Sequence, residues 1–399
     1  MPHYPYLIVG GGMTADAAVR GIRELDPNGA IGVLSAEADP PYARPPLTKA
    51  LWKGEPLESV WKWTEQAGAE MHLRCRAVSI DLRAKRVALA DGTFADYDRL
   101  IIATGARVRT LPAIAPRTGL FTLRGLDDAI VLRRALMDAP RVAIVGAGFI
   151  GLEVAASCRA RGLPVTVIES LPVPLSPIVG PTIGDMVAAI HRDHGVDLRT
   201  GVVVTDVLGE SRVAGVALSD GSRIDADVVV VGIGVTPNTE WLEPSGLTID
   251  NGIVCNGSGE AAPSVYAAGD VARVANRWHG DSPRIEHWTN AVEQAVHAAE
   301  NALAGPEAST SFSSVPYFWS DQYDRKIQFI GAARPHDEMV IIDGSLADRT
   351  LTALYRRDDR VVACLAVNQP RALIKYRKLL AAGASWDAAL SGTAASYPA

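Results

Sequence analysis

Two short stretches of the chain share the same order of apolar, glycine and helix-forming positions. They are YLIVGGGMTADAAVRGI at residues 6–22 and RVAIVGAGFIGLEVAAS at residues 141–157. Each begins with an aliphatic run, which is typical of a strand buried on both faces, and then enters a helix. A second apolar strand follows each helix and ends at an acid, Glu37 in IGVLSAE and Glu169 in VTVIE. The pattern therefore predicts two βαβ units in one chain.

The glycines of both stretches fit the fingerprint G-x-G-x-x-G or its variant with a final alanine. The matching positions are Gly10, Gly12 and Ala15 in the first copy and Gly146, Gly148 and Gly151 in the second. The first glycine permits a tight turn, the second lets the backbone approach a pyrophosphate, and the third packs the helix on the strand. The helix N-terminus offers free N–H groups and a positive dipole end to a phosphate. One copy alone also matches ordinary strand–turn–helix connections, but two complete units favour two dinucleotide sites.

The strands that close the two units also end alike. DRLIIATG reaches Thr104–Gly105, and ADVVVVGIG reaches Gly232 and Gly234. A third apolar segment, PSVYAAGD, enters Gly269–Asp270. The other predicted features are helices over about 13–25 and 290–303, a polar linker over 305–314, and a last region with the strands QFIGAA, MVIID, LTALYRR and VVACLAV and the helix LIKYRKLLAAG.

Composition narrows the class of protein. The 399 residues allow two or three domains, and 48% apolar with 21% charged residues is ordinary for a globular protein. The net charge of −6 argues against general nucleic-acid binding. No apolar run is long enough to span a membrane, and the chain enters its first strand almost at once. We therefore expect a cytoplasmic enzyme that is not bound to a membrane.

The four cysteines are informative through their spacing. Cys75, Cys158, Cys255 and Cys364 lie far apart, with no C-x-x-C or C-x4-C pair. A redox-active dithiol or a zinc site is not expected, and buried reduced thiols fit better. The spacing excludes disulfide reductases, whose chemistry needs two neighbouring thiols. No metal site is predicted.

Five motifs carry a resemblance to a known family. They are DPPYARPPLTKALW at 39–52, LIIATGA at 100–106, VGAGFIGLEVAA at 145–156, YAAGDVA at 266–272 and FWSDQY at 318–323. With them the chain resembles the FAD-dependent, NADH-dependent ferredoxin or rubredoxin reductases of bacterial oxygenase systems, which are related to apoptosis-inducing factor. The resemblance implies an α/β fold of the glutathione-reductase type, with two Rossmann-like dinucleotide-binding domains and a C-terminal α+β interface domain. The implied domains are an FAD-binding domain (1–113 and 237–314), an NAD-binding domain (114–236) and an interface domain (315–399).

The resemblance also implies cofactor residues. For non-covalent FAD they are Gly10, Gly12, Ala15, Glu37, Arg44, Lys49, Thr104, Gly105, Asp270, His287, Trp288 and Trp319, and for NADH they are Gly146, Gly148, Phe149, Ile150, Gly151, Glu153, Glu169 and Gly234. Alternatives stay open for several of them. Related sequences usually have an acid at Ala36, so Glu37 is also compatible with an ordinary surface glutamate. Asp270 is also compatible with a turn former or a helix cap. His287 is also compatible with a purely structural role, and Trp319 with packing in the core.

Lys49, Glu153 and Trp319 are the implied catalytic residues. In the related enzymes the positions of Lys49 and Glu153 form an ion pair beside the flavin ring, where a cation stabilises negative charge on the reduced flavin. The alternative is an ordinary surface pair that contributes about 0–1 kcal/mol. Trp319 would stack beside the flavin and relay electrons.

The implied reaction moves hydride from NADH to FAD and single electrons from FAD to a ferredoxin or rubredoxin that serves a monooxygenase or dioxygenase. Without a cysteine pair, the electrons leave directly from the flavin edge. Glu169 lies 23 residues after Gly146, where an acid binds the ribose 2′-OH and favours NADH over NADPH. Two other functions stay open: an NADH oxidase or reductase of quinones or monodehydroascorbate, and a redox-responsive protein like apoptosis-inducing factor. Monomer and homodimer both stay open.

Overall fold

A computed structural model describes residues 2–49, 68–112, 114–276, 278 and 284–391. Its strands are β1 (His3–Val9), β2 (Ile31–Leu34), β3 (Glu70–His72), β4 (Ala77–Asp81), β5 (Arg86–Leu89), β6 (Phe94–Ile102), β7 (Ala106–Val108), β8 (Leu120–Thr122), β9 (Val142–Val145), β10 (Val165–Glu169), β11 (Asp197–Thr200), β12 (Val204–Leu208), β13 (Gly215–Leu218), β14 (Arg223–Asp225), β15 (Val228–Val231), β16 (Val235–Pro237), β17 (Ile253–Cys255), β18 (Glu260–Ala262), β19 (Val265–Ala267), β20 (Ala272–Val274), β21 (Tyr317–Gln322), β22 (Arg325–Gly331), β23 (Glu338–Ser345), β24 (Thr350–Arg357) and β25 (Arg360–Val367). Its helices are α1 (Met13–Leu25), α2 (Leu126–Ala135), α3 (Phe149–Ala160), α4 (Ser176–Val179), α5 (Pro181–Asp193), α6 (Trp288–Ala304), α7 (Pro370–Ala381) and α8 (Trp386–Ser391).

Contacts divide the described residues into two compact units. The first comprises residues 2–43, 68–107 and 236–316, and the second comprises residues 44–49, 108–235 and 317–391. The four-part division predicted from the sequence is finer than this grouping and stays a prediction. Residue 113, its first boundary, lies outside the described residues.

The first unit is built on a sheet in the order β18-β19-β6-β1-β2-β3, to which β5 and β4 are added as a hairpin beside β6. Strands β1, β2, β3, β6 and β19 run parallel. Helices α1 and α6 share an apolar core with one set of strand side chains, including Ile8 and Ile101. A second core holds the alternate side chains, including Leu7 and Leu100. Burial on both faces explains the continuous apolar runs in these strands.

The second unit contains a parallel sheet in the order β11-β10-β9-β15-β8 and a small antiparallel sheet of β12, β13 and β14. It also contains a five-stranded antiparallel sheet in the order β21-β22-β25-β24-β23, on which α7 packs against β22 and β25. An aromatic contact joins α3 to β21 of the antiparallel sheet: the ring centroids of Phe149 and Phe318 lie 4.8 Å apart. The Tyr355 hydroxyl adds a hydrogen bond of 2.7 Å to the carbonyl of Val179.

Most of the predicted elements are present, and the structure adds short strands that were not predicted, such as β4, β5 and β11–β14. Strand β2 ends at Leu34, so Glu37 lies three residues beyond it rather than at its end. The segment predicted as a polar linker is mostly exposed, but it is anchored at two points: Phe312 is 6% exposed in the core, and Asn301 accepts a hydrogen bond from the Thr310 N–H. Strand β21 was not among the predicted strands. Among the described residues, no helix is long and apolar enough to cross a membrane.

Candidate active site

The carboxyl ends of three neighbouring parallel strands form an edge in the first unit. After β1, β6 and β19 the chain continues into Gly10, Ala103 and Ala268 respectively. Backbone hydrogen bonds fix this edge: Gly10 N donates to Leu34 O at 2.8 Å, and Ala103 N donates to Val9 O at 2.7 Å. The edge therefore brings together three segments that are separate in sequence, which is where ligands bind in open parallel sheets.

Gly10 and Gly12 need to be glycine for different reasons. Gly10 has a φ of +134°, and an added Cβ would overlap the carbonyl of Ala103. Gly12 has an ordinary extended backbone with a φ of −94°, and an added Cβ there would meet no atom within 4 Å. Because nothing in the described protein fills that space, glycine at position 12 leaves room for a group from outside the chain. This is what a pyrophosphate over the helix N-terminus requires.

Gly269 brings Asp270 to the same edge. Its φ is +77°, its N–H donates to the Gln294 side chain at 3.0 Å, and an added Cβ would press against the Thr14 hydroxyl at the start of α1. The carbonyl of Asp270 accepts a hydrogen bond from the buried side chain of Arg284 at 3.2 Å. Gly269 is thus packed between α1 and α6, which fixes the backbone on which Asp270 lies.

The other predicted FAD residues of the first unit lie directly after β6 and at the start of α6. Thr104 donates its hydroxyl to the carbonyl of Asn238 at 3.0 Å, and Gly105 has a φ of +63°. His287 is the N-cap residue of α6 and Trp288 is its first residue. These positions show how the loops are held, and their cofactor roles stay predictions.

Glu37 does not occupy the position equivalent to Glu169. The first glycine of each turn donates its N–H to a carbonyl of the neighbouring strand: Gly10 to Leu34 and Gly146 to Ile168, both at 2.8 Å. Leu34 and Ile168 are therefore equivalent, and so are the residues that follow them. The counterpart of Glu169 in the first unit is therefore Ser35. The prediction that β2 ends at Glu37 is wrong, since the strand stops at Leu34 and the Glu37 carboxylate accepts from the Tyr42 hydroxyl at 2.6 Å.

The second unit repeats the glycine arrangement. An added Cβ on Gly146 would overlap the carbonyl of Gly232, and one on Gly151 would overlap the carbonyl of Gly146. Gly148 again has ordinary backbone geometry, with a φ of −71°, and an added Cβ would meet no atom within 4 Å in the part of the chain that the structure describes. In the first unit the third position is Ala15, which is fully buried, so a methyl group fits there.

Glu169 is fixed at the end of β10 by the glycine turn itself. Its carboxylate accepts from the backbone N–H groups of Ala147 at 2.7 Å and of Leu171 at 2.8 Å. Nearby, Ile150 in the first turn of α3 is 45% exposed, and Gly234 has a φ of +97°. We call Gly12 and Gly148 the open glycines, because each has ordinary backbone geometry and, among the described residues, free space where a Cβ would lie. The edge of this sheet therefore combines a negative charge, an open glycine and an exposed apolar side chain.

Lys49 and Glu153 form the predicted ion pair, with 2.7 Å between Lys49 Nζ and Glu153 Oε2. The side chain of Glu153 is only 8% exposed and that of Lys49 is 21% exposed. The alternative of an ordinary surface pair is therefore wrong. Sequence reasoning missed the groups that complete the site: Thr48 and Ser320 donate their hydroxyls to the two carboxylate oxygens at 2.6 and 2.7 Å, and the Asp321 N–H lies 3.3 Å from Glu153 Oε1.

Arg44 and Trp319 are the remaining predicted residues of the second unit. Arg44 donates to the carbonyl of Arg124 at 2.8 Å. Trp319 is partly exposed on β21 and stacks on Tyr317, with 6.0 Å between the ring centroids. Its neighbour Ser320 points to Glu153, as expected from the alternation of side chains along a strand.

The four cysteines are all described, and all are free thiols. Burial raises the pKa of Cys158, Cys255 and Cys364 to about 12, so these thiols stay protonated and unreactive at neutral pH. Within the described ranges, no group of three or more His, Cys, Asp or Glu side chains is placed to hold a metal ion. Electrons passing through this protein therefore have no route through a dithiol.

Comparisons with known proteins assign the chain to a family that uses two dinucleotides, as the two glycine edges predict. Residues 4–295 match the family described as pyridine nucleotide-disulphide oxidoreductase, and residues 317–395 match the family described as reductase C-terminal. The chain belongs to the pyridine nucleotide-disulphide oxidoreductases. It is therefore an oxidoreductase of a family that uses FAD and NAD(P)H.

Similar proteins extend over nearly the whole chain. The 5,5′-dehydrodivanillate O-demethylase ferredoxin reductase subunit of Sphingobium sp. is 37% identical over 97% of this chain and 95% of its own length. Putidaredoxin reductase of Pseudomonas putida is 35% identical over 91% of this chain and 88% of its own. A crystal structure of the covalent putidaredoxin reductase–putidaredoxin complex is similar with a TM-score of 0.90 at 32% identity, covering 95% of this chain and 93% of that one. The predicted family, fold class and enzyme class are confirmed.

Proposed function

We propose that this oxidoreductase takes hydride from NADH onto non-covalent FAD and passes the electrons singly to an iron–sulfur protein of the ferredoxin or rubredoxin type that serves an oxygenase. The observation that carries the proposal is the pair of open glycines. Gly12 and Gly148 have ordinary backbone angles, and no atom of the described residues lies within 4 Å of an added Cβ, so both leave space for a ligand. When bound, FAD supplies the conversion between a two-electron donor and a one-electron acceptor.

The first edge would hold FAD and the second would hold NADH. Gly12 and the start of α1 would face the FAD pyrophosphate, and Asp270 would orient the cofactor chain beside it. Gly148 and the start of α3 would face the NADH pyrophosphate. Glu169 would accept hydrogen bonds from the adenine ribose and would repel the 2′-phosphate of NADPH by like charge.

The buried Lys49–Glu153 pair would act on the flavin. In this proposal Glu153 holds the Lys49 ammonium in one position, and its positive charge stabilises the negative charge that reduction places on the isoalloxazine ring. The ammonium is well fixed for this purpose, because it also donates to the carbonyl of Pro45 at 3.2 Å and to the Thr48 hydroxyl at 3.3 Å. Trp319 would line the route by which electrons leave.

The acceptor would dock through the exposed face of α7. This face carries four basic side chains: Arg371, Lys375, Arg377 and Lys378. Between them Ile374 is 68% exposed, which supplies an apolar contact within a positive surface. Iron–sulfur ferredoxins are usually acidic, and the relatives above are named for a ferredoxin and for putidaredoxin. We further propose that the enzyme works in the cytoplasm, where its four free thiols would stay reduced.

NADH-driven cytochrome c reduction tests the proposal, with and without added ferredoxins or rubredoxins from the same genome. One of them should accelerate the reaction, and the acceleration should fall steeply with rising salt because screening removes long-range attraction. Lys375→Glu should weaken it, whereas the reversal of an exposed basic residue in the first unit, Arg83→Glu, should leave it unchanged. If no iron–sulfur protein accelerates the reaction while a quinone or oxygen turns over rapidly, the enzyme is a small-molecule reductase instead.

A further inference from the structure

A chain of hydrogen bonds leads from Tyr323 through the interior of the second unit to the carboxylate of Glu153. Its links are Tyr323 Oη to His191 Nδ1 (3.2 Å), His191 Nε2 to Gln322 Oε1 (2.9 Å), Gln322 Nε2 to Ser320 Oγ (3.1 Å) and Ser320 Oγ to Glu153 Oε1 (2.7 Å). His191, Ser320 and Gln322 have 0% exposure. Since buried polar groups are expensive to leave unpaired, each link depends on its neighbours. We call this set the Tyr323–Glu153 chain.

The charge of Glu153 sets the direction of every link. Glu153 is paired with the Lys49 ammonium and is therefore ionised, and a carboxylate only accepts hydrogen bonds. Ser320 must then donate its hydroxyl proton to Glu153 and accept from the amide N–H of Gln322.

The amide oxygen of Gln322 consequently faces His191, whose proton must lie on Nε2. The bare Nδ1 of His191 accepts from the Tyr323 hydroxyl. All donors point toward Glu153, an arrangement in which successive hydrogen bonds strengthen one another.

The outer end of the chain is held by an unusual backbone conformation. Tyr323 has a φ of +57°, which is uncommon for a bulky residue. Its ring stacks on His194, with 3.6 Å between the centroids. Burial lowers the pKa of His191 to about 4, so the imidazole is neutral at physiological pH. The neutral form is required, because an imidazolium has no acceptor for the Tyr323 hydroxyl.

The Tyr323–Glu153 chain orients side chains and does not conduct protons. The amide of Gln322 interrupts any proton path, because it keeps both of its protons. The Tyr323–Glu153 chain controls the direction of the Ser320 hydroxyl, which donates to Oε1 of Glu153. The other oxygen, Oε2, is thereby left for Thr48 and Lys49.

We propose that His191 and Gln322 are positioning residues that orient the Ser320 hydroxyl and so hold the Glu153 carboxylate with Oε2 toward Lys49. The effect on the reaction rests on the proposed function, in which Lys49 acts on the flavin. Both side chains have 0% exposure, so neither is open to a bound cofactor. Their contribution should therefore appear in the rate of flavin reduction and not in the affinity for NADH.

Nitrogen NMR of the holoenzyme with ¹⁵N-labelled histidine tests the direction of the chain. The signals of His191 are assigned by their loss in His191→Asn. We expect the Nε2–H tautomer, unchanged as the pH is varied through the neutral range. An Nδ1–H tautomer would reverse the assigned direction, and an imidazole that titrates near neutral pH would lose the acceptor for the Tyr323 hydroxyl. Either result would overturn the proposal.

A double-mutant cycle tests the consequence. Gln322→Leu should slow flavin reduction by NADH about threefold to tenfold in stopped flow, the range expected for losing one or two buried hydrogen bonds. In a Glu153→Gln background, Gln322→Leu should cause no further slowing. Thr352→Val is the matched control, because it removes the hydrogen bond that another buried side chain of the same sheet donates to Gln369.

The outcomes separate this inference from the proposed function. Equal slowing by Gln322→Leu in both backgrounds would show that Gln322 does not act through Glu153 and would overturn the inference. Slowing by Thr352→Val to the same extent would do so too, since the effect would then be general. If Glu153→Gln itself leaves flavin reduction unchanged, the proposed role of the Lys49–Glu153 pair fails, and the His191 tautomer alone decides the direction of the chain.

Discussion

The carboxylate of Glu169 accepts a hydrogen bond of 2.7 Å from the backbone N–H of Ala147, which ties the end of β10 to the middle of the glycine turn. The acid therefore has a structural part beside its proposed part in coenzyme choice. Glu169→Gln separates the charge from the Ala147 hydrogen bond, because the amide oxygen still accepts from Ala147 while the charge and the acceptor for the Leu171 N–H are lost. We expect the preference for NADH over NADPH, measured as the ratio of kcat/KM values, to fall about tenfold in this variant.

The control for that prediction is Glu169→Ala, which removes the charge and the acceptor together. This variant should bind both coenzymes more weakly, because the Ala147 N–H loses its hydrogen-bond partner and the turn loosens. A wild-type enzyme that used NADH and NADPH with equal efficiency would contradict the role given to Glu169.

The open glycines allow the two cofactor sites to be tested separately. Gly12→Ala should leave the fold intact but lower the FAD content, because the methyl group enters the space kept for the pyrophosphate. Gly148→Ala should retain FAD and raise the KM for NADH, by about tenfold or more. FAD content is measured by acid release of yellow flavin, and KM by steady-state assay.

Two matched variants control this comparison. Gly10→Ala and Gly146→Ala place a Cβ against protein carbonyls and require positive φ angles, so they should destabilise the protein itself. Full FAD occupancy in Gly12→Ala, with unaltered affinity, would mean that the first edge does not bind the cofactor.

Lys49→Met tests the role of the buried ion pair. Flavin reduction by NADH should slow, because the charge proposed to stabilise the reduced ring is gone. Stability should also fall, by about 1–3 kcal/mol in the free energy of unfolding, since Glu153 is left as an unpaired charge at 8% exposure. The double variant Lys49→Met/Glu153→Gln should recover stability without recovering the rate. A single variant that reduces at the wild-type rate with FAD bound would leave Lys49 a structural residue.

His191 predicts a dependence of stability on pH. Burial lowers its pKa in the folded protein to about 4, below the ordinary value near 6.5, so the unfolded chain binds more protons between these values. Stability should therefore fall as the pH drops from about 6.5 to 4, by roughly 2–4 kcal/mol from this group. Urea unfolding of His191→Asn should show a shallower loss over that range. Parallel curves for the variant and the wild type would mean that His191 is not buried in its neutral form.

The sequence predicted the parts of the site that depend on local pattern. Strand β9, the turn at Gly146 and the acid at the end of β10 follow directly from an apolar run, glycine spacing and a second apolar run. The first unit departs from this rule at β2. There IGVLSAE continues the strand-like pattern to Glu37, but the backbone leaves the sheet after Leu34, and Ser35 takes the equivalent position.

The groups around Glu153 could not be predicted from local pattern. Thr48 and Ser320 are 105 and 167 residues away from it along the chain. Only folding places both hydroxyls on one carboxylate. The motif FWSDQY contained a usable signal, because Phe318, Ser320 and Gln322 alternate with Trp319 and Asp321 and must share one face of the strand. Nothing in the sequence linked that face to His191 on α5.

The central claim is that electrons leave the flavin directly for an iron–sulfur protein, without a thiol intermediate. The most direct measurement is anaerobic stopped flow, in which enzyme reduced with NADH is mixed with an oxidised ferredoxin or rubredoxin from the same genome. We expect flavin reoxidation to match iron–sulfur reduction in rate and in electron count, and to persist when all four cysteines are replaced by serine or alanine. Flavin that stays reduced in the presence of each of these acceptors, but is reoxidised rapidly by a quinone, would contradict the account.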